Sequence, residues 1–301
     1  ARIQRCAPTH PGQNRSMTLR DVGLTFAGGG NRAFYQLGLM NRWGDRILPR
    51  VAAMAACSAG ACVAVVLLSG RQNETRERWH ELRRGLDKNF DPRQLLRGQN
   101  PAPHARIYRE LLLHAMRDGG LECLRAQPFP VLALSAAIPR RVPTAAALLV
   151  GLGMYRLERR LHPHRLHLSF AARAGFRSVV SDLRSCETAE KVAEVVLASS
   201  ATPPFVPVGR AGGERLIDGG LIDAAPAFIA EQVPAVRRNL VVLTQPCHDP
   251  PASEIRFYVG PRRPIEVSAW DYTEGQHVER VIAQGEAESE AHEPTLRALL
   301  S

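Results

Sequence analysis

A serine that closes a short apolar run and is followed only by small residues has the setting of a nucleophile. Val51-Ala52-Ala53-Met54-Ala55 reads as a buried strand, and Ala61-Cys62-Val63-Ala64-Val65-Val66-Leu67-Leu68 reads as a buried helix. Between them lies Ala56-Cys57-Ser58-Ala59-Gly60, close to G-x-S-x-G with Ala56 in place of the first glycine. Small residues at such a joint permit a sharp strand-to-helix turn that lifts a hydroxyl clear of the sheet. The plainer reading makes Ser58 a helix N-cap. Two other stretches weigh against that. Gly28-Gly29-Gly30-Asn31-Arg32 stands between a strand at Gly23–Ala27 and a helix that starts at Phe34. Bare backbone N–H groups at a helix N-terminus stabilise negative charge. A nucleotide-phosphate loop would do the same. This one lacks the Lys-Ser/Thr of a P-loop, but Ala33 falls where the dinucleotide fingerprint has its last glycine and tolerates alanine, so the motif alone leaves both readings open. Far downstream, Leu216-Ile217 delivers Asp218 before Gly219-Gly220. The plainer reading of Asp218 is a turn residue.

Taken together and in this order, the three stretches resemble the patatin-like phospholipase family, in its bacterial form. Gly28-Gly29-Gly30-Asn31-Arg32-Ala33 is similar to the family's glycine-rich motif, Ala56 to Gly60 to its nucleophile motif, and Asp218-Gly219-Gly220 to its aspartate motif. Ala198-Ser199-Ser200-Ala201-Thr202-Pro203-Pro204-Phe205 looks like the segment leading to that aspartate, and the likeness runs over roughly residues 20 to 230. Ala33, Ala56 and Ala224 depart from the usual pattern, the first two by one methyl group each.

The resemblance implies an α/β fold of three layers, α/β/α, built on a parallel sheet and carrying a Ser-Asp dyad without histidine. Ser58 would be the nucleophile and Asp218 the base. The backbone of Gly28, Gly29 and Gly30 would form the oxyanion hole, Gly29 and Gly30 first, with Arg32 holding the loop or adding positive potential. Asn31, Ala33, Ala56, Gly60, Gly219 and Gly220 would support the motifs. The reaction implied is hydrolysis of a lipid acyl ester, such as a phospholipid, lysophospholipid or acylglycerol. It calls for no metal and no cofactor.

Two rival readings stand beside this one. An α/β-hydrolase esterase orders its triad as serine, acid, histidine. His248, just beyond a run that reads as a strand, would then complete Ser58-Asp218-His248, although such enzymes need no Asp-Gly-Gly. The other rival is a non-catalytic lipid- or nucleotide-binding protein that keeps the glycine loop. Intact Ser58 and Asp218 argue against it.

The bulk composition fits a globular chain: 301 residues, 45% hydrophobic and 23% charged, with a net charge of +10. Lysine occurs only at 88 and 191, so the positive charge is almost all arginine. Basic charge favours anionic partners such as lipid headgroups. No zinc-finger spacing and no basic-aromatic interleaving points to nucleic acid. The six cysteines (6, 57, 62, 123, 186, 247) form no C-x-x-C pair, which removes zinc-ribbon and redox motifs. A reduced, cytoplasmic protein, associated with a membrane surface, is the simplest expectation. Secretion stays open, because the chain starts without methionine.

The elements that must hold these residues follow from alternating apolar runs. Residues 1–17 read as an irregular lead-in, 18–250 as the patatin-like α/β hydrolytic domain, and 251–301 as an extension ending in a helix packed on the same domain. Further strands are expected at Pro130–Ile138, Gly175–Asp182 and Leu240–Thr244, and helices at His104–Arg117 and Thr188–Ser199. Cys247–Pro264 reads as irregular. Pro143 to Tyr155 is an apolar run too short to span a bilayer, with Arg156, Arg159, Arg160 and Arg165 after it. It reads as a core or lid helix, with contact to a lipid surface as the sharper alternative. His162, His164 and His167 lie without an acidic or cysteine neighbour in sequence, so a basic surface strip outweighs a metal site. His104 and His114 are expected at the surface.

Overall fold

The computed structural model describes residues 19–98, 100–162, 166–167 and 170–301. The lead-in at 1–17, with Cys6, and His164 and Arg165 of the basic stretch lie outside the described residues. The first half of the chain runs β1 (Val22–Phe26), α1 (Phe34–Ile47), β2 (Val51–Cys57), α2 (Ala59–Leu68), α3 (Gln72–Arg83), α4 (His104–Ala115), α5 (Gly120–Arg125), β3 (Val131–Ala137) and α6 (Thr144–Leu161). The second half runs α7 (Phe170–Arg173), β4 (Arg177–Asp182), α8 (Ala189–Ser199), β5 (Gly209–Ala211), β6 (Glu214–Asp218), α9 (Ala227–Glu231), β7 (Arg238–Val242), β8 (Arg256–Val259), α10 (Val278–Glu288) and α11 (Glu293–Leu300).

Eight strands form one sheet in the order β5-β6-β3-β2-β1-β7-β8, with β4 also on β3. The five strands from β3 to β8 in that order are parallel, as the strand–helix alternation requires. The sheet as a whole is mixed rather than parallel, because β4, β5 and β6 run antiparallel to their neighbours. The central strands β1 and β2 are buried along their whole length, which is why they read as unbroken apolar runs. β8 overturns the expectation of irregular structure at Cys247–Pro264. Its four residues are too few, among prolines and charges, to show a strand period, and the register is supplied by β7.

Side chains alternate between the two faces. Leu24, Phe26, Met54, Ala56 and Val131 pack with α1, α2, α4, α8 and α11 on one side. Ala53, Ala55, Cys57 and Leu134 pack with α9 on the other, and Ala136 and Ile217 with α6 and α7. These are the three layers. The apolar run after Pro143 becomes α6, and it is a core helix only along one stripe: Ala147, Gly151 and Glu158 are buried, with the Glu158 carboxylate accepting the Phe170 N–H at 2.8 Å. Leu149, Val150, Leu152, Leu157 and Leu161 are exposed, Leu149 at 75%. No helix among the described residues is long and apolar enough to cross a membrane. Cys57, Cys62, Cys186 and Cys247 are free thiols, whereas Cys123 is disulfide-bonded.

Helices α1 and α10 meet backbone to backbone at Gly38 and Gly285. A methyl group at Gly38 would run into the Ile282 carbonyl. Gly38→Val should therefore destabilise the fold by about 1–3 kcal/mol or more, read as a lower urea midpoint; an unchanged midpoint would mean that α10 does not hold this position.

Candidate active site

Ser58 is the joint between β2 and α2, and it takes φ 52° and ψ −130°. A non-glycine residue there carries roughly 1–3 kcal/mol of strain, which the surrounding contacts must offset. They do so from three sides. The Ser58 N–H donates to Ser199 Oγ at 2.9 Å, and Ser199 in turn donates to the Leu134 carbonyl of β3 at 2.5 Å. The Tyr108 hydroxyl of α4 reaches the Ser58 carbonyl at 3.4 Å. Gly60 lets the first turn of α2 lie against β1, since a Cβ there would stand 2.5 Å from the Phe26 carbonyl oxygen. Ala56 fits where the usual motif has glycine, because it is an ordinary buried strand residue at that point.

The aspartate arrives through β3. At the end of β2, Cys57 pairs with Leu134; at the end of β6, Asp218 pairs with Ser135, the next residue along β3. Ser58 and Asp218 therefore leave neighbouring positions of one strand partner. Ser58 Oγ donates to Asp218 Oδ2 at 2.7 Å. Asp218 Oδ1 accepts the Gly220 N–H at 2.6 Å, with Cys57 Sγ at 4.0 Å. Burial pushes the Asp218 carboxyl up to about 6, against the lowering effect of the bonds from Ser58 and Gly220. Gly219 and Gly220 allow the chain to turn beneath the carboxylate: a Cβ on Gly219 would meet the Leu134 carbonyl.

The glycine loop lies across the same opening. Gly28 does not offer its N–H to a ligand as expected, because it donates to the Ala224 carbonyl at 2.8 Å. The N–H groups of Asn31 and Arg32 are committed to Ala269 and Gly29 carbonyls. Those of Gly29 and Gly30 have no acceptor among the described residues, and Ala59, first residue of α2, has no intrahelical acceptor for its own. Gly30 takes φ +57° with the Ala269 carbonyl against it, a place for glycine only. Arg32 turns away and holds the loop, its Nε donating to the Val267 carbonyl at 3.3 Å. Asn31 Nδ2 binds the carbonyls of Ser268 and Asp271 at 3.1 and 2.6 Å. Buried Ala33 adds no polar group.

Several supports were not visible in the sequence. Thr244 Oγ1 donates to the Gly28 carbonyl at 2.7 Å, and Gln36 Nε2 to the Ala27 and Val242 carbonyls. His167 does not lie in a basic strip: its Nδ1 pairs with Asp223 Oδ2 at 2.7 Å and its Nε2 with the Tyr258 hydroxyl at 2.9 Å. Asp223 is 56 residues away in sequence, beyond the reach of any spacing rule. His104 is buried, not exposed, and its Nε2–H donates to the Trp270 carbonyl at 2.7 Å. His248 is exposed, and among the described residues no histidine hydrogen-bonds to Ser58 or Asp218. No group of three or more metal-ligating side chains occurs among the described residues.

A family model described as patatin-like phospholipase matches residues 24–231, more than half of the chain, from β1 through α9. The chain belongs to the patatin-like phospholipase family. The matched region contains the serine elbow, the glycine loop and the aspartate turn of this patatin-like chain. Solved structures with a similar course include VipD from Legionella pneumophila, at 12% identity and TM-score 0.44 over 91% of this chain. Human GIVD cytosolic phospholipase A2 is similar at 12% identity and TM-score 0.43 over 94%. The patatin-like chain spans 66% and 63% of those two chains. No curated protein sequence matches it significantly.

Because burial holds the folded carboxyl of Asp218 near 6, above its ordinary 3.8, its contribution to stability is full at low pH and is lost as pH rises through about 6. Asp218→Asn should therefore melt higher than the wild type at pH 8, with the gain fading below about pH 4. A variant that melts lower at pH 8 would contradict the burial of an ionised carboxylate.

Proposed function

We propose that this protein is a serine hydrolase of lipid acyl esters, of the phospholipase A, lysophospholipase or acylglycerol lipase kind, working with Ser58 and Asp218. The observation that carries the reading is the direct 2.7 Å bond from Ser58 Oγ to Asp218 Oδ2, with no histidine between them. Asp218 accepts the hydroxyl proton as Ser58 Oγ attacks the ester carbonyl. The negative charge that forms on the carbonyl oxygen is met by the N–H groups of Gly29 and Gly30, with that of Ala59 at the N-terminus of α2. Collapse breaks the ester bond, and Asp218 returns the proton to the departing alcohol. Water then attacks the acyl-serine, Asp218 takes its proton, and the fatty acid leaves as Ser58 is restored. A buried carboxylate with its pKa near 6 is a stronger base than an exposed one, and it is still ionised at neutral pH.

Lipid as substrate is supported by α6. Its exposed side carries Leu149, Val150, Leu152, Leu157 and Leu161 together with Arg156 and Arg160, while its only acidic residue, Glu158, is buried. An apolar face with a basic end suits the surface of an anionic bilayer. The opposite side of the helix lies over the aspartate turn, Gly151 against Leu221. A docked α6 would thus bring the site to the membrane.

Hydrolysis of 4-nitrophenyl acetate should fall by about 10³-fold or more in Ser58→Ala and Asp218→Ala, and should persist in His248→Ala. Loss in His248→Ala would restore the triad and end the dyad reading. In the wild type, kcat/KM should decline below about pH 6 along a single-proton limb, the protonation of Asp218. Leu149→Asp combined with Leu157→Asp should cut turnover of phospholipid in anionic vesicles at least tenfold more than turnover of the soluble ester. Equal effects on both substrates would remove α6 from the lipid contact.

A further inference from the structure

Residues 267–271 form neither helix nor strand, yet the glycine loop is built on them. Each carbonyl of this segment accepts a hydrogen bond. Arg32 Nε donates to Val267 at 3.3 Å, the Asn31 side chain to Ser268 and Asp271 at 3.1 and 2.6 Å, and the Asn31 N–H to Ala269 at 3.1 Å. The Ala269 carbonyl also stands where a side chain on Gly30 would be. The remaining donor comes from outside the loop: His104 Nε2–H binds the Trp270 carbonyl at 2.7 Å.

His104 is the first residue of α4 and is 1% exposed. Its ring lies against Tyr272 and Phe205, with centroids 4.3 and 4.7 Å away. Burial pushes its pKa below the ordinary value, so the ring is neutral at pH 7 and has one N–H to give. The Trp270 carbonyl can only accept, so that proton is on Nε2; Nδ1 is buried and has no partner among the described residues. One turn along the same face of α4, the Tyr108 hydroxyl reaches the Ser58 carbonyl. Phe205 stacks on Trp270 at 5.7 Å, and it stands four residues after Ala201, whose carbonyl accepts the Asp218 N–H at 3.0 Å. One face of α4 thus touches the supports of the glycine loop, of the serine and of the aspartate.

We propose that His104 is a positioning residue of the site: through the Trp270 carbonyl it sets the 267–271 segment, and so the angle at which the Gly29 and Gly30 N–H groups face Ser58. The inference rests on the hydrolase reading above, in which those groups meet the charged oxygen. Asp271 and Tyr272 are tied down separately by Asn89 and Arg83. Loss of the His104 bond therefore frees Trp270 while the far end of the segment stays in place, and the glycine loop tilts rather than unfolds. A misplacement of about 1 Å can cost on the order of 10²-fold in rate. Donors that meet charge present only in the transition state act on kcat and leave KM alone.

Glutamine and asparagine separate the two imidazole nitrogens. His104→Gln carries its amide N–H where Nε2 stands, and His104→Asn carries it where Nδ1 stands. With 4-nitrophenyl acetate, His104→Gln should keep kcat within about threefold of wild type and His104→Asn should lose about tenfold or more, with KM within about twofold in both. The backbone amides of Asn31 and Arg32, bonded to the Ala269 and Gly29 carbonyls, should exchange with deuterium faster in His104→Asn than in wild type or His104→Gln. Equal kcat in the two variants, kept or lost alike, would overturn the proposal, and so would equal exchange. If the wild type cleaves no ester, the hydrolase reading has failed separately, and the exchange rates alone decide whether His104 holds the glycine loop. Where His104→Asn does not fold, as judged by circular dichroism, His104→Leu, which donates nothing and suits an apolar setting, takes its place in both measurements.

Discussion

The register of β3 is the constraint on which the site depends. Two strands from distant parts of the chain, β2 and β6, end against consecutive residues of β3, Cys57 on Leu134 and Asp218 on Ser135. A slip of one residue in either pairing would turn the affected side chains to the other face of the sheet. The hydroxyl and the carboxylate would then point apart. Ser199 reinforces the register at the same spot, since its hydroxyl binds both the Ser58 N–H and the Leu134 carbonyl. The strain at Ser58 is tolerable because the sheet, α4 and α8 over-determine the turn.

The glycine loop is fixed to the same frame rather than to its own helix alone. The Gly28 N–H binds the carbonyl of Ala224, six residues beyond Asp218, while Thr244 at the end of β7 holds the Gly28 carbonyl. The loop is thereby tied both to the segment after the aspartate turn and to the end of β7. Behind the turn, Asp223 accepts from the Ala225 N–H and pairs with His167, and Arg256 closes the cluster with a two-pronged bond to Glu231. Within this arrangement the Gly28 N–H is taken up by the frame, and among the described residues those of Gly29 and Gly30 have no acceptor.

What could be read in the sequence was whatever is encoded locally. The serine elbow and the glycine loop each lie between an apolar strand and a helix, so residue type and order alone reveal them, and Asp218 followed by two glycines marks its own turn. The first strands were legible because they are buried on both faces. The antiparallel course of β4 to β6 was not, since direction depends on pairing partners and leaves no mark on composition. β8 escaped for a similar reason, being four residues that gain their form from β7. His167 and Asp223 show the limit most plainly: nothing in either neighbourhood announces the other. The apolar run of α6 looked alike for a core and a surface helix, because the buried stripe of Ala147 and Gly151 is built from residues smaller than the leucines it leaves outside.

That economy of small residues bears on the chemistry as well. Cys57, Gly219 and Gly220 stand beside Asp218 and bring few donors: among the described residues its strong ones are Ser58 Oγ and the Gly220 N–H. More donors would lower the carboxyl further and weaken it as a base; fewer would leave it protonated at neutral pH. A value near 6 lies between those failures. In a histidine triad the imidazole takes the proton and a buried acid steadies it. In the dyad we propose, the acid itself is raised to the range an imidazole occupies, so that a single residue would cover both tasks across the one hydrogen bond that joins hydroxyl and carboxylate. The adjacent residues of β3 supply that spacing.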